Sequence, residues 1–166
     1  MGNATSSAAA MNATVVERRS DREFVATRTF DAPARLVYEA WRNPDLFRRW
    51  WVPASAGITL LSCEMDVRTG GRYRLEFSHP ASEQPMAFFG RYLDVVPGER
   101  IVWTNEEGGD EGAMTTVTFE ERDDKTLVTY SELYPTEAAL DEAFAGSAEG
   151  LPMQFAQLDA LLARGW

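Results

Sequence analysis

The sequence predicts an α+β domain in which a curved, seven-stranded antiparallel sheet wraps one long C-terminal helix. Two observations carry this expectation. Six strand-like segments follow one another between residues 58 and 133, with a helical segment around residues 34–49 before them. A last helical segment, residues 136–163, then carries an apolar stripe of Leu140, Phe144, Leu151, Phe155, Leu158 and Leu162 at helical spacing. With no helix between the six strands, neighbours pair antiparallel, because a parallel pair needs a crossover of about a dozen residues or more. A sheet of this size twists and curves when it covers a single helix. A β-sandwich, the competing architecture, leaves the terminal helix without a place.

Residues 1–20 are rich in Ala, Ser, Thr and Asn and show no sustained period, so they read as a flexible leader, with one domain over residues 21–166. The first strand, residues 23–30, reads as an edge or near-edge strand and puts Phe24, Ala26, Arg28 and Phe30 on one face. Pro33 suits a first helical position, and Leu36, Val37, Ala40 and Trp41 give the following turns one apolar side. That helix is expected to stop near Arg42. Asn43 then caps a second one, with Pro44 at its first position and Asp45 in its first turn. Pro53 and Gly57 mark the exit.

The six following strands read as residues 58–67, 71–78, 86–95, 100–105, 113–121 and 125–133. Gly70-Gly71, Pro97-Gly98 and Asp123-Asp124 mark tight reversals, while residues 79–85 and 106–112 form wider loops. Alternation is plainest in residues 71–78, where Tyr73, Leu75 and Phe77 oppose Arg72, Arg74 and Glu76. In the terminal helix, Pro152 lacks an amide hydrogen and crowds the carbonyl of Ala148, which predicts a kink or short break at residues 148–151.

Composition narrows the function classes. Twenty-six acidic residues against 16 basic ones give a net charge of −10, which disfavours nucleic acid and anionic membrane surfaces. No stretch has the length and apolarity of a membrane span or the apolar core of a signal peptide, so a cytoplasmic address is expected. Cys63 is the only cysteine and His79 the only histidine, too few for a recognisable metal set. Cys63 reads as a small buried hydrophobe sharing a face with Leu61 and Met65, and His79 as a loop residue. Neither Gly70-Gly71 nor Gly108-Gly109 has the spacing or strand-to-helix context of a phosphate loop, so no nucleotide or other cofactor is expected.

Nine Phe, five Trp and five Tyr exceed what packing a domain of this size demands. A partly unfilled interior lined by rings would accept a small hydrophobic or aromatic molecule. The candidate wall residues are Tyr73, Phe89, Trp103, Tyr130, Phe144 and Phe155; the polar candidates are Glu64, Arg74, Arg91 and Glu132. Two of Glu64, Asp66 and Glu132 facing each other in such a space would separate their pKa values and permit acid–base chemistry.

Several motifs add a resemblance over residues 22–163. They are Thr29-Phe30-Asp31-Ala32-Pro33 leading into Val37-Tyr38-Glu39-Ala40-Trp41, then Asn43-Pro44 and Trp50-Trp51. Further on come Glu64-Met65-Asp66-Val67-Arg68-Thr69-Gly70-Gly71-Arg72-Tyr73, Gly90-Arg91-Tyr92, Val96-Pro97-Gly98-Glu99-Arg100-Ile101-Val102-Trp103 and Thr115-Thr116-Val117-Thr118-Phe119. Together they resemble the START-like, Bet v 1-like (SRPBCC) superfamily, and within it the domain family named after the activator of the Hsp90 ATPase. The resemblance implies a helix-grip fold in the order β-α-α-β6-α, with a hydrophobic cavity between the sheet and the C-terminal helix. It implies no universal catalytic residues. Some relatives are polyketide cyclases or lipid and ligand carriers. The N-terminal domain with which the Hsp90 activators engage the chaperone has no counterpart in these residues. Members often carry Gly-Trp in the last helix; Gly150-Leu151-Pro152 stands here instead, which is expected to reshape the cavity. The reading is therefore a monomeric or homodimeric container for a small apolar ligand. A cyclase- or hydrolase-like enzyme in the same cavity, or a stress-related chaperone-accessory domain, are the alternatives.

Overall fold

The computed structural model describes residues 13–54, 57–107 and 112–166. Strand β1 (Val15–Arg18) opens an eight-stranded sheet, followed by β2 (Glu23–Phe30), helices α1 (Ala34–Arg42) and α2 (Pro44–Phe47), strands β3 (Thr59–Met65), β4 (Arg72–Ser78), β5 (Met86–Val96), β6 (Arg100–Thr104), β7 (Met114–Arg122) and β8 (Lys125–Leu133), and helix α3 (Glu137–Arg164). The order across the sheet is β1-β2-β8-β7-β6-β5-β4-β3, and every pair is antiparallel. The chain thus has the helix-grip architecture with one strand more than expected.

The extra strand falls within the stretch expected as leader. Residues 1–12 of the expected leader lie outside the described residues, but Val15–Arg18 pairs with β2 in the register Val15↔Thr27 to Arg18↔Phe24. Two β-branched residues there satisfy backbone groups that β2 would otherwise present as a bare edge. Arg18 also reaches α3, donating to Asp141 at 2.6 Å.

The helix starts follow their caps. Asn43 Oδ1 accepts the Asp45 amide at 2.9 Å with Pro44 at the first position of α2, and Thr136 Oγ1 accepts the Ala139 amide at 3.1 Å at the start of α3. Helix α3 runs unbroken through Pro152 to a C-cap at Gly165. The expected break is absent because packing holds both sides of the proline: Leu151, Phe155, Leu158 and Leu161 are all buried. Leu161, rather than Leu162, ends the buried stripe.

Helix α3 lies over β1 and β2, where Arg28 on the core face of β2 donates to Asp159 at 3.2 Å. Helix α1 covers β7 and β8, and α2 packs on β3. The segment after α2 is clamped to α3 by two glutamines. Gln154 Nε2 donates to the Trp51 carbonyl, and Gln157 Nε2 donates to those of Trp50 and Val52 while its Oε1 accepts the Ala54 amide. These bonds satisfy backbone groups that no sheet or helix partners. The concave face of the β3–β6 half is left with thin helical cover.

Two bulges set which side chains reach that face. Between Leu60 and Ser62 the β3–β4 register shifts by one residue, so Leu61 turns outward and is 48% exposed. Leu61 therefore does not share the face of Cys63 and Met65, as simple alternation predicts. A second shift between Tyr92 and Asp94 resets β5 against β6.

Candidate ligand-binding cavity

Alternation along β4 turns Tyr73, Leu75 and Phe77 inward. Their cross-strand partners in β5 are Gly90, Phe88 and Met86, and further along the face come Tyr92, Ile101, Trp103, Tyr130 and Glu132. Opposite this wall stand Trp41 of α1, Phe47 of α2, and Trp51 just after it. Between the two remains a cavity of about 240 Å³. Phe88 lines it while remaining 39% exposed, so this ring stands at a mouth.

The cavity is displaced from its expected place. None of its lining residues comes from α3. That helix fills the β1–β2 side of the hollow, and the unfilled space lies under α1, α2 and Trp51. The Gly150-Leu151-Pro152 segment consequently does not border it. The tryptophan pair divides its work: Trp51 lines the cavity, whereas Trp50 is fully buried and donates its Nε1 hydrogen to the Ala40 carbonyl at 3.0 Å.

Four of the sequence-predicted residues, Tyr73, Trp103, Tyr130 and Glu132, border this space. The other six do not. Glu64, Arg74 and Phe89 form one cross-strand row over β3, β4 and β5, and that row faces outward, lining a groove on the far side of the sheet. Arg91 is also exposed and donates to Glu106 at 2.8 Å. Phe144 packs edge-on against Phe24 under the Arg18 guanidinium, and Phe155 packs among Phe30, Trp41, Trp50 and Tyr130 behind the cavity wall. Residues not singled out as walls, such as Leu75 and Phe77, share the period-2 face of Tyr73, so the alternation already carried them. No sequence signal marks Asn105 and Glu107, which lie just beyond β6.

The polar groups gather at one end. Tyr130 Oη donates to Glu132 Oε1 at 2.8 Å, Tyr134 Oη lies 3.5 Å from Oε2, and the Thr115 hydroxyl is also within hydrogen-bonding reach. Tyr73 Oη donates to the Thr104 carbonyl at 2.6 Å, and Asn105 Nδ2 donates to Thr115 Oγ1 at 3.0 Å. Glu132 counts as half-buried by surface area because its carboxyl borders the void, yet protein encloses it. Burial pushes that carboxyl above the ordinary range; the hydrogen bonds from Tyr130, Thr115 and Tyr134 pull the other way without cancelling, and Glu107 adds to the rise. Burial likewise raises the Tyr73, Tyr92 and Tyr130 phenols, so all three stay neutral.

Of the three carboxylates considered for acid–base pairing, only Glu132 enters the cavity; Glu64 and Asp66 line the outer groove. Cys63 has its thiol pushed up to about 11 by burial and sits 3.5 Å from Met65 Sδ, an inert environment. His79 Nδ1 accepts the Ala81 amide within its own loop.

A family model described as activator of Hsp90 ATPase homolog 1-like protein matches residues 31–163. The chain belongs to this family. Solved structures agree with the AHSA1-like fold. A crystal structure of a Rhodobacter sphaeroides protein superposes with a TM-score of 0.82 at 20% identity, covering 91% of this chain and 98% of that one. A Chromobacterium violaceum protein shares 30% identity with a TM-score of 0.66, over 83% and 95% of the two chains. The AHSA1-like protein from Aeromonas hydrophila matches at 20% identity and a TM-score of 0.66, over 82% and 92%. No curated protein matches. Among the described residues of this AHSA1-like domain, no helix is long and apolar enough to cross a membrane.

The environment of Glu132 has a stability consequence. A carboxyl whose folded pKa lies above its unfolded value of about 4.5 keeps its proton longer in the folded state. Stability therefore falls as pH rises through the interval between the two values, and the full penalty applies above both. Glu132→Gln is expected to stabilise the AHSA1-like domain at neutral pH, because it removes a charge that burial disfavours while keeping an oxygen to accept the Tyr130 hydroxyl. The gain should shrink toward zero in acid. Urea unfolding of both proteins across pH checks this; a gap independent of pH would refute it.

Proposed function

We propose that this domain binds a small, largely apolar, ring-bearing molecule in the cavity under α1 and α2. The observation that carries the reading is the unfilled space of about 240 Å³ in which nine of the fifteen described lining residues are aromatic. An apolar cavity of about 150 Å³ holds benzene, so by scale this one takes a ligand of roughly ten non-hydrogen atoms. Burial of ring against ring supplies the affinity, and the Asn105–Glu132 end fixes orientation. The expected setting is the cytoplasm, where a lone thiol such as Cys63 stays reduced.

NMR titration with naphthalene tests the reading. Binding is expected in the parent protein, with shifts confined to cavity residues. Leu75→Trp, which puts an indole into the void, should weaken binding about tenfold or more. Naphthalene binding that ignores this substitution in a folded variant would place the ligand elsewhere.

A second reading, acid–base catalysis, is favoured by one observation: a carboxyl with a raised pKa, hydrogen-bonded to Tyr130, facing the same cavity. It adds a reaction to the same binding event and requires Glu132 to touch the ligand.

A further inference from the structure

The charge of the cavity lining deepens that reading. Among the described residues that line it, the ionisable side chains that carry charge are acidic, Glu107 and Glu132, and none is Lys, Arg or His. The rings beside these carboxylates form a continuous set. Trp103 lies 6.2 Å from Tyr130 and 6.5 Å from Tyr73, centroid to centroid and edge to face. Aromatic faces carry the negative side of the ring quadrupole and attract cations within about 6 Å. The phenols are tied down at the same end: Tyr130 by Glu132, Tyr73 by the Thr104 carbonyl with Asn105 Oδ1 at 3.4 Å.

Resting on the binding reading above, we infer that the ligand is an organic cation, a protonated or quaternary amine on a compact apolar body. Its charge sits among Tyr73, Trp103 and Tyr130, against the carboxylates of Glu107 and Glu132. An anionic ligand, such as a fatty acid, would meet two carboxylates and the negative faces of the rings, with no base to receive it. A buried cation loses hydration, and that loss must be offset by a nearby negative charge. The site offers two, and only one of them is enclosed. A shallow depression between the end of β6 and the start of α3 shares Asn105, Glu107 and Glu132 with the cavity, so the acidic end also borders solvent. Among the described residues, no Lys, Arg or His stands beside Glu132 in the cavity lining, so its carboxyl is open to a cationic ligand. The groups facing it are the Tyr73, Tyr130 and Tyr134 phenols, all neutral, the Thr115 hydroxyl, the Glu107 carboxylate, and across the β2 pairing the uncharged Phe24. Within this set, Glu132 is the group whose carboxyl burial holds above the ordinary range.

The test uses three probes of matched shape on the full chain: benzyltrimethylammonium, its carbon isostere neopentylbenzene, and 3-phenylpropanoate. Binding is followed by NMR titration. At about pH 8 the cation is expected to bind about tenfold more tightly than the isostere, and the anion not at all. The preference should narrow as pH falls, because burial makes Glu132 take up its proton at a higher pH than an ordinary carboxyl. Glu132→Gln should reduce the preference to about threefold or less. Glu142→Gln, which removes the same charge from the exposed face of α3, should leave it in place and so exclude a general effect of net charge. Should Glu132→Gln fail to fold, Glu107→Gln on the exposed rim reads the same quantity. A neutral isostere that binds as tightly as the cation, or an anion that binds best, overturns the cation assignment and leaves the container reading standing. Failure of all three probes overturns both.

Discussion

Gly90→Ala is expected to destabilise this domain by about 3 kcal/mol, the upper range for overpacking, because the obstacle is backbone and not a movable side chain. A Cβ at residue 90 would stand 2.0 Å from the Thr104 carbonyl oxygen and 2.9 Å from its carbon. That carbonyl is already engaged by the Tyr73 phenol at 2.6 Å, and the Thr104 hydroxyl accepts the Arg91 amide at 2.9 Å. Gly90 pairs with Tyr73 across β4 and β5, so it belongs to the concave face. Its missing side chain is the space into which the end of β6 folds. Making room for a methyl group would push β6 away from β5 and pull Thr104 off Tyr73, so the cavity wall should loosen with the fold. A fall of about 6–12 °C in thermal midpoint is expected for a chain of this length. A variant within 1–2 °C of the parent would show that β6 yields at little cost, and the tight packing inferred at Thr104 would fall with it.

That position illustrates which features a sequence exposes. Strand boundaries were legible because turn residues punctuate them: each of the six expected segments overlaps an observed strand, and 125–133 coincides with β8. The caps at Asn43 and Thr136 were legible for the same reason, since they depend on neighbours in sequence. Strand β1 was not, because four residues of Val-Val-Glu-Arg at the end of a polar tail show no alternation to distinguish them; their pairing depends on the open edge of β2, a tertiary fact. The outward turn of Leu61 was hidden likewise, because a bulge is written in the register between two strands and leaves no mark on either alone.

The candidate site divides along the same line. Period-2 reasoning placed Tyr73, Leu75 and Phe77 on one face, and the structure turns that face inward. At Phe88-Phe89, two identical residues in succession offer no phase. Only pairing with Leu75 and Arg74 shows that Phe88 turns inward and Phe89 outward. The choice of Phe144 and Phe155 followed from expecting α3 to roof the cavity. In the structure α3 is seated deep against β1 and β2, and the roof passes to Trp41, Phe47 and Trp51. Which helix covers which half of a curved sheet is a matter of three-dimensional placement that no local pattern encodes.

Trp41 joins the core to the cavity, and Trp41→Ala is expected to cost about 3–5 kcal/mol, the range for removing a large buried ring. It is 2% exposed, and its ring lies within 4.7–6.3 Å, centroid to centroid, of Phe47, Trp50, Trp51, Trp103, Phe119, Tyr130 and Phe155. Those partners come from α2 and the turn after it, three strands of the sheet and α3, so one side chain of α1 ties together every layer of the fold. Its truncation leaves a void that the surrounding rings can close only by leaving their edge-to-face contacts, each worth about 0.5–1.5 kcal/mol beyond area. One term works in the opposite direction. The indole Nε1–H is buried with no acceptor, and an unmet donor costs about 1–3 kcal/mol, so the parent already carries part of that penalty. Trp41→Phe separates the two contributions, because it keeps a ring and removes the stranded donor. It should cost well under half of what Trp41→Ala costs, measured by urea unfolding followed by far-ultraviolet circular dichroism. Equal losses in the two variants would mean that the indole's second ring supplies the stabilisation. In that case the unpaired N–H would be seated against a ring face, such as that of Trp50 at 66°, in a weak N–H···π contact that offsets its cost.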